Sequence, residues 1–331
     1  MAIHPLGGTS LQVSRLGLGL AALGRPGYIN LGHAEDLGRV YDVAAMEARA
    51  HAVLDAAWAA GMRYFDAARS YGRAEEFLSH WLAARAIAPK SVTIGSKWGY
   101  TYTADWRVAA DLHERKDHTL PVLRRQIVES RHWLSPHLDL YQIHSATLES
   151  GVLDDAAVME ELARYRAAGL AIGLTLSGPK QAEVLRKAMD VQVDGRRVFD
   201  VVQATWNLLE RSAGKALAEA HASGMGVIVK EALANGRLTA RNTDPEFSAQ
   251  RRIIETVAAR FGVSVDALAL AAACNRPWVD VVLSGAAQVG HLQSNLRALS
   301  VTWDDAAETA LAELRESPAE YWQQRGRLPW N

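Results

Sequence analysis

Asp66 and Tyr71 stand five positions apart in GMRYFDAARSYG, where an apolar run that reads as a buried strand gives way to a short loop. A carboxylate closing a strand and a phenol in the next loop can flank one substrate atom. A cation beside the phenol would favour its ionised form and lower its pKa from the ordinary value of about 10. Lys97, which closes the run VTIGSK, and His144, which closes LDLYQIH, can complete such a site. Singly, each has a plainer role: Asp66 as a helix cap, Tyr71 as a loop aromatic, Lys97 as a solvated charge, His144 as a satisfied core histidine. The four become informative only if the fold brings them to one place.

The elements that would do so follow from hydrophobic patterning. Short apolar runs at 16–21, 62–67, 92–97, 138–144, 171–176, 199–204, 226–230 and 279–284 alternate with longer amphipathic stretches, the pattern of repeated βα units around a parallel sheet. The runs are nearly continuously apolar, as expected of strands covered by helices. Helix signals lie between them. In DDAAVMEELARYRAAG, Asp154 and Asp155 favour a helix start and Val158, Leu162 and Tyr165 recur on one face. Gly61, Gly169 and Gly224 each stand where a helix would close through a left-handed residue just before a strand. Gly7 and Gly8 in HPLGGTSLQV suggest a hairpin plugging the bottom of a barrel. Two helical stretches, QVGHLQSNLRAL and DDAAETALAELRE, precede a tail rich in aromatic residues. With no linker in sight, residues 1–331 read as a single α/β domain, an eight-stranded TIM (β/α)8 barrel with an N-terminal β-hairpin and extra C-terminal helices. Asp66, Tyr71, Lys97 and His144 would then gather at the carboxyl ends of three successive βα units, where barrel enzymes keep their active sites.

Composition narrows the function classes. The 36 basic residues nearly balance 37 acidic ones, which removes the positive field that nucleic acids or anionic membranes require. Hydrophobic residues make up 49% of the chain and charged residues 22%, enough for a large core. The N-terminus shows no basic segment followed by an apolar run, and no uninterrupted apolar stretch reaches about 18 residues. A soluble, cytoplasmic protein with a small-molecule substrate, and neither nucleic-acid nor membrane partners, is expected. The lone Cys274, in ALALAAACNR, reads as a buried residue inside a helix. No HxH pair ends a strand. His113 with His118, and His132 with His137, have poor ligand spacing and read as surface residues, so no metal is expected.

With these residues in view, the chain resembles the aldo-keto reductase superfamily, whose tetrad is an Asp, a Tyr five residues on, a Lys and a His in this order. Within the family it resembles bacterial-type members, aldose- and pyridoxal-dehydrogenase-like. The likeness runs from GTSLQVSRLGLGLAALG to YWQQRGRLPW. It implies hydride transfer to an aldehyde or ketone, or from the corresponding alcohol or sugar. Tyr71 would be general acid and base, acidified by Lys97. Asp66 would keep Lys97 charged, and His144 would orient the carbonyl. These roles suit a reaction that builds negative charge on oxygen. Hydride requires a nicotinamide cofactor, and no GxGxxG follows a strand here. The resemblance implies a cofactor lying across the barrel top. It implies contacts from Gln203 to the carboxamide, from Leu233, Asn235, Gly236 and Leu238 to the pyrophosphate, and from Asn295 to the adenine, with Gly285, Gln288 and His291 around the adenosine.

The chain departs from the family in three places. Thr175 and Leu176 replace the usual Ser-Asn, so Thr175 is expected to keep one amide contact while the other is lost or comes from Ser177. Lys230 replaces the aromatic residue under the nicotinamide; Trp206 could supply the apolar packing, while Lys230 could pair with Glu231 or reach a phosphate. GAAQVGHLQSN has no Lys or Arg where many relatives place one. An uncharged pocket weakens the case for a 2′-phosphate, so NADP(H), which family habit favours, and NAD(H) are both retained. Trp98, Tyr28 and Tyr100 are the expected substrate walls, with Trp106, Trp206 and Trp322 as further aromatic candidates, and the long polar segment after Trp98 is expected to cover the site. Two other readings stand beside this one: a non-catalytic or very slow cofactor-binding regulatory barrel, and a lyase using Lys97 as a Schiff-base amine.

Overall fold

The computed structural model describes all 331 residues. Eight parallel strands close into a barrel in chain order: β1 (Leu16–Gly19), β2 (Tyr64–Asp66), β3 (Thr93–Trp98), β4 (Leu138–Ala146), β5 (Ala171–Leu176), β6 (Val201–Thr205), β7 (Gly226–Lys230) and β8 (Val281–Ser284), with β8 pairing back on β1. All eight lie within the runs read from the sequence, give or take a few residues at each end. Helices pack outside, so the outward-facing Phe65, Ile94, Ile143, Val202 and Val229 join the large core between helices and strands.

Inside the barrel, side chains alternate with period two and separate into layers. Tyr64, Leu140, Val201, Ile228 and Val281 form an apolar plug with Leu6 and Val13 of the N-terminal hairpin, which pairs Ile3–Pro5 with Gln12–Ser14. Two residues further along the same strands the inward positions turn polar: Asp66, Gln142 and Gln203, then His144, Thr205 and Lys230. The barrel is thus sealed by hydrocarbon at its N-terminal end and chemically equipped at the other.

Gly61, Gly169 and Gly224 all adopt the expected left-handed conformation, and Asp155 caps the helix Ala156–Ala167 by accepting from the Val158 amide at 3.1 Å. The long segment after β3 is not a bare loop: Tyr100–Tyr102 pairs antiparallel with Glu114–Lys116 to make a two-stranded flap over the barrel mouth. A second small hairpin, Gln192–Val193 with Arg196–Arg197, was not foreseen. Cys274 is the last residue of its helix, Val265–Cys274, and only partly buried. No single helix is long and apolar enough to cross a membrane.

The C-terminal residues return to the mouth. Asn331 and Tyr28 exchange two backbone hydrogen bonds of 3.1 Å, and Trp330 stacks on His113 with ring centroids 4.0 Å apart. At the opposite end, Gly7 has a φ of +53°, and a Cβ there would stand 2.3 Å from the Gly226 nitrogen. Gly7→Ala is expected to cost at least about 2 kcal/mol, from left-handed strain plus overpacking against backbone that cannot yield. A shift of the urea midpoint, with activity per folded molecule retained, checks this.

Candidate active site

Asp66 ends β2 with its carboxylate inside the barrel and almost no solvent. One oxygen contacts the Lys97 ammonium in a close ion pair. The other accepts from the Tyr64 hydroxyl at 2.9 Å, the Gln203 amide at 3.0 Å and the Gln142 amide at 3.4 Å. Gly95, opposite Asp66 in the register, makes room for this: a Cβ there would lie 2.5 Å from the Tyr64 hydroxyl. Lys97 also donates to the Ala67 carbonyl at 2.8 Å. Its ammonium is fully enclosed, so burial pulls its pKa below the ordinary lysine value while Asp66 pulls the other way. An amine held this way lacks the free lone pair of a Schiff-base nucleophile.

Tyr71 follows on the short loop after β2. The Lys97 ammonium lies 4.8 Å from its ring centroid, and its hydroxyl stands 3.5 Å from His144 Nε2. The expected acidification is not found. Burial, followed by the Asp66 charge, holds the phenol well above its ordinary value, and the first opposing cation is Arg25. Asp66 neutralises Lys97 at close range, so little net positive field reaches the ring.

His144 is aimed by a bulge. Between Ile143 and Ala146 of β4 two residues stand opposite one of β5, and Ser145 takes a φ of +56°. The Ser145 amide donates to Thr175 Oγ1 at 2.8 Å, and His118 Nε2 contacts the His144 carbonyl at 2.8 Å. Thr175 therefore holds the bulge instead of facing the cavity, and His118 is a buried support, not a surface residue. Burial, then Lys97 and Lys230, push the His144 pKa well below the ordinary value, so its imidazole is neutral.

A cavity of about 350 Å³ opens over these groups, lined among others by Tyr28, Tyr71, Tyr100, His144, Ser177, Gln203, Lys230 and Trp330. A second, of about 220 Å³, is lined by Gly236, Arg241, Asp266, His291 and Asn295. Asn30, Leu233 and Gly285 border both, so the two form one trough. Asn235, with a φ of +55°, borders the first and buries its side-chain oxygen without a partner. An elongated ligand with hydroxyl donors suits this shape, and a dinucleotide would be held by Ser177, Gln203, Leu233, Asn235, Gly236, Gly285, His291 and Asn295.

Other expected contacts lie elsewhere. Leu238 is fully buried, and Trp206 packs edge-on against Trp278. Gln288 donates to the Asp36 carbonyl at 2.7 Å. Trp98 is completely buried, edge-on to His118, and backs the site without lining it. Trp106 donates to the Tyr41 carbonyl at 2.6 Å, and Trp322 lies beside Lys230, 5.9 Å from its ammonium. The second cavity does contain an arginine, Arg241, delivered by the segment after β7 and ion-paired with Asp36.

Sequence reasoning missed three charged groups around the first cavity, Arg25, Glu114 and Arg325, and found Glu231 only as a partner for Lys230. Arg25, almost fully buried, donates to the Ser70 carbonyl at 3.0 Å and pairs with Glu114 at 2.8 Å; its guanidinium lies 5.2 Å from the Tyr71 ring centroid. Glu231, after β7, pairs with Arg325 of the last helix at 2.5 Å. No local pattern links the partners, which stand 89 and 94 residues apart in the two pairs.

A closed parallel barrel with Asp, Tyr, Lys and His converging at its C-terminal mouth defines a class of oxidoreductase. The aldo/keto reductase family pattern matches residues 15–316, and the chain belongs to that family. The chain is 25% identical to the protein tas of Escherichia coli over 95% of its length and 96% of the relative's. It is 26% identical to a D-threo-aldose 1-dehydrogenase of a Pseudomonas species, over 71% of this chain and 72% of that one. An aldo-keto reductase from Bacillus halodurans superposes with a TM-score of 0.69 at 18% identity, covering 96% and 97% of the two chains.

Glu231 offers a stability test. Burial opposes its ionisation, but Arg325 and Lys230, with hydrogen bonds from Arg325 and Thr205, outweigh it and hold its pKa at about 2. A folded-state value below the unfolded one gives stability that is complete above about pH 4.3 and is lost as pH falls toward 2. The contribution is about 3 kcal/mol. Acid unfolding of Glu231→Gln should start from a lower baseline and show a shallower slope between pH 4 and 2; a slope equal to wild type counts against the pair.

Proposed function

We propose that this protein is an NAD(P)(H)-dependent oxidoreductase that reduces an aldehyde or ketone, with Tyr71 giving the proton. The observation that carries this is the placement of the Tyr71 hydroxyl 3.5 Å from His144 Nε2 in the lining of one cavity, beside the ion-paired Lys97. A nicotinamide in the trough would supply hydride.

The chain's own residues do the rest. His144, neutral and fixed by its bulge, donates a hydrogen bond to the carbonyl oxygen and orients it. Tyr71 keeps its proton at neutral pH and can release it only to an oxygen that has gained negative charge, a preference for the transition state over the ground state. The phenolate so formed is opposed first by the Arg25 guanidinium, while Asp66 holds Lys97 beside the ring. The high proton affinity of Tyr71 favours reduction over oxidation. A sugar-like or small carbonyl substrate is supported by the aldose-dehydrogenase relative and by the modest cavity.

The charge balance of the second cavity supports NAD(H) as the better carrier. Arg241 is engaged by Asp36, while the carboxylate of Asp266 also faces the cavity. An added phosphate there would meet a carboxylate before a free cation.

Tyr71→Phe should abolish carbonyl reduction, with kcat falling at least about 1,000-fold, and leave the cofactor dissociation constant within about twofold. Turnover retained with cofactor affinity lost would refute the donor role. Fluorescence titration with both reduced cofactors should give tighter binding of NADH than NADPH, and the reverse order would assign the second cavity to a 2′-phosphate.

A further inference from the structure

Six charged side chains line the catalytic cavity: Arg25, Asp66, Glu114, Lys230, Glu231 and Arg325. Asp66 is neutralised from behind by Lys97, Glu114 by Arg25 and Glu231 by Arg325. One cation is left over. The Lys230 ammonium donates to Thr205 Oγ1 at 2.9 Å and stands 3.7 Å from a Glu231 oxygen. That carboxylate already accepts from Arg325 and from the Thr205 hydroxyl. An ammonium has three donors, and only one of them is engaged at bonding distance.

We propose that Lys230 is an anion subsite of the catalytic cavity that holds a carboxylate on the substrate, so that the preferred substrates are carbonyl compounds bearing one negative charge, the oxo acids. This rests on the reading of Tyr71 and His144 as the carbonyl site.

Three observations support the assignment. The Lys230 side chain is only 16% exposed, so solvent compensates its charge poorly; burial pulls its pKa down to about 8. A bound carboxylate would engage the donors that Thr205 and the more distant Glu231 oxygen leave free. Lys230 and His144 line the same cavity, which puts the ammonium on the side of the reacting carbonyl. A single ammonium suits a monoanion. The forked donors that favour phosphate are those of Arg25 and Arg325, and both are tied to carboxylates.

The test pairs a short oxo acid with its methyl ester, under one reduced cofactor, in wild type, Lys230→Met and Lys230→Arg, with thermal melts to check folding. The wild type should prefer the acid by at least about tenfold in kcat/KM. In Lys230→Met that preference should collapse, mainly through the KM of the acid, and Lys230→Arg should restore most of it. An unchanged acid-to-ester ratio, or an equal loss for both substrates, overturns the proposal. So does a matching loss of affinity for the reduced cofactor titrated alone, which would give Lys230 to the cofactor. Calorimetry with butanoate separates this idea from the functional reading. Binding by wild type that is lost in Lys230→Met supports the subsite even if neither carbonyl is reduced. A wild type that reduces the ester but binds no butanoate overturns the subsite alone.

Discussion

The buried pair of Asp66 and Lys97 is the constraint on which the site depends. Removing two charges from water is costly, and the attraction between them offsets that cost only if their other hydrogen-bonding capacity is met. Here Tyr64, Gln142 and Gln203 supply donors to the carboxylate, and the Ala67 carbonyl accepts from the ammonium. Tyr64 and Ala67 belong to β2 and its continuation, Gln142 to β4 and Gln203 to β6, while Lys97 itself comes from β3. The pair therefore ties together β2, β3, β4 and β6 at one level of the barrel, and a change in any of these strands would leave a buried charge without compensation.

That requirement explains the layering of the interior. Leu6, Val13, Tyr64 and their neighbours exclude water from below, which raises the strength of every electrostatic contact above them. The same exclusion acts against ionising Tyr71. Lys97 is near the ring, yet its field is largely cancelled by Asp66, and desolvation prevails. A cation stabilises a phenolate only as far as it acidifies the phenol, so Lys97, engaged by Asp66, does little of either, and Arg25 is the cation that opposes the charge left by proton release. A resting donor with high proton affinity, beside a neutral imidazole, is suited to giving a proton to an oxygen that becomes basic only as hydride arrives.

Much of the fold was legible because the signals that set it are local. Apolar runs bounded by Gly61, Gly169 and Gly224 mark strand starts by backbone chemistry alone, and the tetrad could be assigned to strand ends from those runs. The errors have physical causes. Trp98 was read as a substrate wall, although strand periodicity turns it to the opposite face from Lys97 and into the core. Thr175 was read as a ligand contact, although the bulge at Ser145 recruits its hydroxyl. Arg25, Arg241 and Arg325 escape a reading of the sequence because loops and the last helix deliver them from distant parts of the chain, and no spacing rule relates such positions.

These distant charges set the electrostatics of the mouth. In the barrel interior the charges of Asp66 and Lys97 compensate each other, so the site can stabilise charge that develops in reaction but adds little discrimination among uncharged carbonyls. Discrimination needs a group whose compensation is incomplete before ligand binding. Around the first cavity the ion pairs Arg25–Glu114 and Arg325–Glu231 are closed, and the chain Lys230, Thr205, Glu231, Arg325 ends on an ammonium with donors to spare. An aromatic ring at position 230 would present only an apolar face there. A lysine converts the same strand end into a charged contact beside His144, so the departure from the family pattern at this position lies where it can alter substrate choice while leaving the proton donor untouched.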